Sequence, residues 1–94
     1  MNELQLRKNL DLIDNKKCKV GIIGLGYVGL PLSVLLVKNN FKIIGFDIDI
    51  KKIKNIKNNK SYIERIPDND VKLINQKGNF YNTFSNINKC DVII

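Results

Sequence analysis

Six consecutive residues, Gly24-Leu25-Gly26-Tyr27-Val28-Gly29, carry the most specific chemistry in this 94-residue sequence. Glycines at the first, third and sixth positions build a turn in which the backbone itself meets a ligand. Gly24 permits a tight turn out of a strand. Gly26 has no side chain to hold a pyrophosphate away from the main chain, and Gly29 lets the following helix approach a sheet. The N–H groups around Gly26, Tyr27 and Val28 then face an anion, helped by the positive end of the helix dipole. Asp47 stands 23 residues after Gly24, close to the roughly 20-residue spacing of the acid that accepts hydrogen bonds from an adenosine ribose. A carboxylate there repels a 2′-phosphate, and no arginine follows directly, so NAD is favoured over NADP. Lys52, further along the next helix, either reaches the adenosine side or is simply solvated. Asp49 reads as a helix cap rather than a ligand contact. The plainer alternative, a glycine turn beside a strand-end Asp that caps its neighbour, leaves the joint match unexplained.

Other chemistry is excluded by composition. The sequence has no histidine, and its two cysteines are Cys18 and Cys90. Histidine-based triads, Cys/His zinc centres and a disulfide framework are therefore out, and no metal site is expected. Neither cysteine has a base or a positive cluster beside it to make a thiolate, so both read as structural.

Positioning the glycine turn requires a strand before it and a helix after it, and the sequence supplies both. Cys18 to Ile23 is a β-rich run without alternation, as in a parallel strand buried on both faces. Leu30 to Val37 is apolar on nearly every side, with Pro31 near the helix start and Lys38-Asn39-Asn40 closing it. Phe41 to Phe46 forms a second strand ending at Asp47. Asp49 caps a helix striped by Ile50, Ile53 and Ile56 and stopped at Asn58 and Asn59. Residues 61–67 connect to a helix that Asp68 caps, which carries Val71, Leu73 and Ile74 and has Gly78 at its C′ position. Residues 79–82 form a short strand, 85–89 a helical turn, and 92–94 the start of a further strand. Alternating strands and helices predict an α/β, Rossmann-type parallel sheet with helices on both faces. The expected strand order is 3-2-1-4. Residues 4–14, with Leu6, Leu10 and Ile13 on one face, predict a short amphipathic helix. Residues 1–17 are thus a leading helix and linker, and 18–94 a partial dinucleotide-binding domain that stops within its fourth strand, as a fragment of something larger.

The formal charge of +7 and pI of about 9.5 raise the question of nucleic acid. All the basic residues except Arg7 and Arg65 are lysines, scattered rather than gathered on one face, and the planar arginine fork that reads bases is scarce. The reading is no nucleic acid and a solvated lysine-rich surface. Val20 to Val37 carries no charge, but Gly21, Gly24, Gly26, Gly29 and Pro31 disqualify it as a membrane span. A soluble, cytoplasmic chain with no membrane association is expected.

From Lys19-Val20-Gly21-Ile22-Ile23 through Gly24-Leu25-Gly26-Tyr27-Val28-Gly29 to Leu30-Pro31-Leu32, the chain resembles the N-terminal NAD-binding domain of the UDP-glucose/GDP-mannose dehydrogenase family. Further matches follow in family order: Gly45-Phe46-Asp47-Ile48-Asp49, Lys52-Ile53, Ser61-Tyr62-Ile63-Glu64, Thr83 and Asp91-Val92-Ile93-Ile94. The Ser-Tyr-Ile-Glu form followed by Ile66-Pro67 is most similar to members oxidising UDP-N-acetylglucosamine or UDP-N-acetylmannosamine. The resemblance implies a four-electron oxidation of a sugar C6 alcohol to a carboxylate with two NAD per turnover. It also implies a cysteine thiohemiacetal at the aldehyde stage and a homo-oligomer when full length. It assigns the pyrophosphate to Gly24, Gly26, Tyr27, Val28 and Gly29, and the adenosine ribose to Asp47 and Lys52. Thr83 falls near the cofactor, and Glu64 matches a position without an assigned role. The family's catalytic cysteine, lysine and asparagine and its sugar domain correspond to nothing within these residues, so this chain alone is expected to be inactive. Two other readings stay open: the NAD-binding domain of another dehydrogenase class, disfavoured by Tyr27-Val28 and residues 61–64, and a non-catalytic dinucleotide-binding or interaction module.

Overall fold

Lys19–Ile23 (β1) is buried at Val20, Gly21 and Ile22 with no alternation, because it runs down the middle of the sheet with a partner on each side. A computed structural model describes residues 18–94, and the helix expected at 4–14 lies outside them. β1 pairs in parallel with Lys42–Phe46 (β2) on one edge and with Val92–Ile93 (β4) on the other. Asn79–Tyr81 (β3) pairs in parallel with the far side of β2. The sheet order is β3-β2-β1-β4, the Rossmann-like order expected.

Three helices make the crossovers: Gly29–Lys38 (α1) between β1 and β2, then Ile50–Lys57 (α2) and Asp68–Lys77 (α3) between β2 and β3. Their apolar sides meet one face of the sheet. Leu30, Val34, Ile53, Ile56, Val71 and Ile74 join Val20, Ile22, Ile43 and Phe80 in a single buried cluster. Because side chains alternate along a strand, Gly21, Ile44 and Phe46 look the other way. That face is covered by the connection from β3 to β4, which includes a 3-10 turn at Ile87–Lys89. The Phe84 ring of that connection lies 5.8 Å from Phe46, and a Cβ on Gly21 would come within 2.6 Å of the Cys90 sulfur.

Helix ends follow local chemistry, with three departures from expectation. α1 and α2 each stop on an asparagine in the left-handed region, Asn40 at φ 67° and Asn59 at φ 58°, where asparagine substitutes for the usual glycine. Asp49 caps α2 as expected, its carboxylate accepting from the Lys51 N–H at 2.9 Å. Ile50, at the first helical position, is exposed rather than part of the α2 stripe. Asp68 does not cap α3, because Pro67 occupies the N-cap and Asp68 is already helical. Its carboxylate instead accepts from the Ser61 N–H at 2.8 Å. Gly78 ends α3 in an extended conformation rather than a left-handed one. What it provides is closeness, since a Cβ there would lie 2.7 Å from Ile43 Cγ1 and 3.1 Å from the Ile43 carbonyl oxygen.

Two glycines set where α1 starts. Gly24 has φ +87°, a conformation that L side chains rarely adopt. A Cβ on Gly29 would fall onto the Gly24 carbonyl oxygen and touch Ile22. Gly26 is different: among the described residues a Cβ there would meet only the Lys52 ammonium, at 3.8 Å. Gly29→Ala should therefore destabilise the protein by about 1–3 kcal/mol through overpacking. Gly26→Ala should change stability by no more than about 0.5 kcal/mol. Urea unfolding of the two variants beside the parent measures both.

Candidate functional site

The glycine turn leaves β1 at its carboxyl end, where β2 and β3 also finish, and hydrogen bonds hold it to β2. The Gly24 N–H donates to the Phe46 carbonyl at 2.8 Å. One residue on, the Leu25 N–H donates to Asp47 Oδ2 at 2.8 Å. The second Asp47 oxygen accepts from the Asp49 N–H at 2.8 Å. The Lys52 ammonium stands 3.7 Å from Asp47 Oδ2. Asp47 thus ties the glycine turn to the end of β2 and to the start of α2.

Asp47 is buried, with 9% of its surface exposed. Burial pushes its carboxyl pKa up, but the Leu25 and Asp49 N–H groups and the Lys52 charge outweigh it and hold the pKa below the usual value of 3.8. The carboxylate form is therefore present at neutral pH, with lone pairs left over for a further donor.

Past Leu25 the turn opens to solvent. Among the described residues, none accepts a hydrogen bond from the N–H of Gly26, Tyr27 or Val28. These donors lie at the positive end of α1, whose first turn contains no acidic residue. The side chains of Tyr27 and Val28 are 76% and 79% exposed, so neither serves the core. An open groove of about 310 Å³ runs between the turn and α2, lined by Gly26, Tyr27, Asp49, Lys51, Lys52, Asn55, Tyr62 and Ile63.

The structure thus draws together most of the residues singled out from sequence. Gly24, Gly26, Tyr27, Val28, Gly29, Asp47 and Lys52 share one end of the sheet, and Lys52 is paired rather than freely solvated. Asp49 both caps α2 and borders the groove. Thr83 is not among the groove residues; it sits two positions past β3, exposed, with its Oγ1 3.0 Å from Ser85 Oγ. Glu64 is exposed in the connection between α2 and α3. Neither cysteine borders the groove: Cys18 is buried before β1, and Cys90 is half-buried against Gly21. Burial and the Asp91 charge push the Cys90 thiol pKa up, against the pull of Lys19. Among the described residues no group of acidic or sulfur side chains is arranged to hold a metal ion, and no helix is long and apolar enough to cross a membrane.

Sequence reasoning missed Tyr62, whose hydroxyl donates to the Leu25 carbonyl at 2.6 Å. In the sequence its segment stands out only as a connection between helices and as part of the family resemblance. The partners lie 37 residues apart, and no local periodicity reports a contact across that distance.

Asp47 also makes stability depend on pH in a defined direction. Its folded pKa lies below the unfolded value of about 3.8, so its contribution is fully present above that value and is lost as pH falls through the lowered folded one. Thermal midpoints measured from pH 7 to pH 2 should show Asp47→Asn less stable than the parent at neutral pH. The two curves should converge below about pH 4.

Comparison with known proteins supplies the identity that the geometry suggests. The model of the UDP-glucose/GDP-mannose dehydrogenase family's NAD binding domain matches residues 18–94. Protein CapL of Staphylococcus aureus is 39% identical over 75 residues, covering 80% of this chain and 17% of that protein. A UDP-N-acetyl-D-mannosamine dehydrogenase of Methanococcus maripaludis is 39% identical over 46 residues, covering 49% of this chain and 11% of the enzyme. A UDP-N-acetyl-D-glucosamine 6-dehydrogenase of Salmonella typhi is 52% identical over 40 residues, covering 43% and 9% respectively. The chain therefore spans less than a fifth of the length of each of these relatives. An NAD-binding, Rossmann-like unit with this glycine turn, matched from Cys18 to Ile94, belongs to the UDP-glucose/GDP-mannose dehydrogenase family.

Proposed function

We propose that this chain is the cofactor-binding part of a nucleotide-sugar 6-dehydrogenase that oxidises the C6 alcohol of a UDP-N-acetylhexosamine to a carboxylate. The observation that carries the reading is the open backbone at Gly26, Tyr27 and Val28, whose three N–H groups find no acceptor among the described residues and lie beside the buried Asp47 carboxylate. A negatively charged pyrophosphate and a ribose diol fit those two features, and the bare face of Gly26 leaves room for the former. The relatives named for UDP-N-acetyl-D-mannosamine and UDP-N-acetyl-D-glucosamine support the substrate class.

Each residue has a distinct task in this reading. Gly24 turns the chain, and Gly29 lets α1 approach so that its dipole points at the pyrophosphate. The N–H groups of Gly26, Tyr27 and Val28 donate to the phosphate oxygens. Asp47 accepts from the adenosine ribose hydroxyls, and its charge disfavours a 2′-phosphate. Lys52 offsets that charge and borders the ribose. Thr83, which lies outside the groove, is assigned to the cofactor by the family resemblance alone. NAD supplies the hydride acceptor, and two equivalents balance the four electrons lost from alcohol to carboxylate. The groups that bind sugar and move protons belong to parts of the enzyme outside this chain, which by itself is inactive.

Titration calorimetry of NAD into the full-length protein tests the assignment. Asp47→Ala should weaken NAD about tenfold to a hundredfold, as expected for lost hydrogen bonds to a charged group, and should narrow the preference over NADP. Gly26→Val should abolish binding while the fold persists. The full-length enzyme should generate NADH absorbance with a UDP-N-acetylhexosamine. Silence with every UDP-sugar would sink the assignment of substrate.

A further inference from the structure

The connection between α2 and α3 is fastened at several points, which is more than a linker requires. The Ser61 N–H donates to Asp68 at 2.8 Å. The Ser61 hydroxyl donates to the Ile63 carbonyl at 2.8 Å and accepts from the Ile63 N–H at 3.1 Å. Ile63 is 5% exposed and belongs to the core cluster. Between these anchors stands Tyr62, half-buried, lining the groove and donating to the Leu25 carbonyl at 2.6 Å. Leu25 is fully buried, and its N–H is held by Asp47. Both backbone polar atoms of Leu25, the residue just before the Gly26–Val28 donors, are therefore fixed by side chains. Burial, and then the charges of Asp47 and Asp49, push the Tyr62 phenol pKa far up, so the donor proton stays in place at neutral pH.

We infer that Tyr62 is a positioning residue for the cofactor: its bond to the Leu25 carbonyl, opposite the Asp47 bond to the Leu25 N–H, presets the direction of the Gly26–Val28 N–H groups. The inference rests on the reading that these groups take the dinucleotide phosphates. The two bonds clamp one residue from opposite directions, so the donors that follow are ordered before the ligand arrives. Such preorganisation removes an ordering cost from binding. It also makes Tyr62 and Ile63 a wall of the cofactor site, although neither belongs to the glycine fingerprint.

Tyr62→Phe removes the hydroxyl and keeps the ring, and Tyr62→Leu removes both. In the full-length enzyme, Tyr62→Phe should raise the KM for NAD about threefold to tenfold, in line with one neutral hydrogen bond. Its kcat should stay within about twofold of the parent, and its ligand-free thermal midpoint should fall by only a few degrees, because the Leu25 carbonyl loses its donor. Tyr62→Leu should lower that midpoint and raise KM further. An NAD KM within twofold of the parent for Tyr62→Phe would overturn the inference and leave the dinucleotide reading intact. A fall in thermal stability that accounts for the whole effect would overturn it too, marking Tyr62 as structural. Absence of NAD binding in the parent protein would remove both the inference and the reading beneath it.

Discussion

The hydrogen bond from the Leu25 N–H to the Asp47 carboxylate is the contact on which the candidate site depends. It joins the exits of two neighbouring parallel strands, each of which must turn abruptly to release a helix. A carboxylate taken out of water is costly unless donors surround it. Here two backbone N–H groups and an ammonium supply that compensation. The turn after β1, the end of β2 and the start of α2 are consequently tied together at one side chain. Without this carboxylate, the Gly24 N–H would be the one hydrogen bond among the described residues fastening the glycine turn to β2.

Steric closeness completes what the hydrogen bonds begin. The start of α1 sits so near the Gly24 carbonyl that only a residue without a side chain fits at position 29. That approach brings the helix start onto the turn, and the N–H groups of Gly26, Tyr27 and Val28 just before it have no acceptor among the described residues. The same fold feature therefore closes the core on one side and leaves backbone donors open on the other. The exposed Tyr27 and Val28 fit this division, since their side chains are not committed to packing.

The elements of the fold were largely legible because their signals are local. Uninterrupted β-rich runs marked the buried parallel strands, and the Asp49 cap and the asparagine pairs marked helix limits. Errors arose where two residues competed for one role. Pro67 took the cap expected of Asp68, and Gly78 proved to be needed for contact with Ile43 rather than for a left-handed turn. A sequence pattern identifies glycine without distinguishing these two reasons for it.

The order of strands and helices along the chain, the glycine turn and the acid that ends β2 were all readable from the sequence, because each is encoded in spacing along the chain. How these parts are held became visible only in the folded chain. It showed Asp47 bonded to Leu25, Lys52 drawn to Asp47, Tyr62 gripping the Leu25 carbonyl, and Thr83 lying apart from the groove. Those relations join residues brought together by the crossovers, and burial sets their strength. Distance in space and access to water are properties of the folded chain, and residue spacing does not record them.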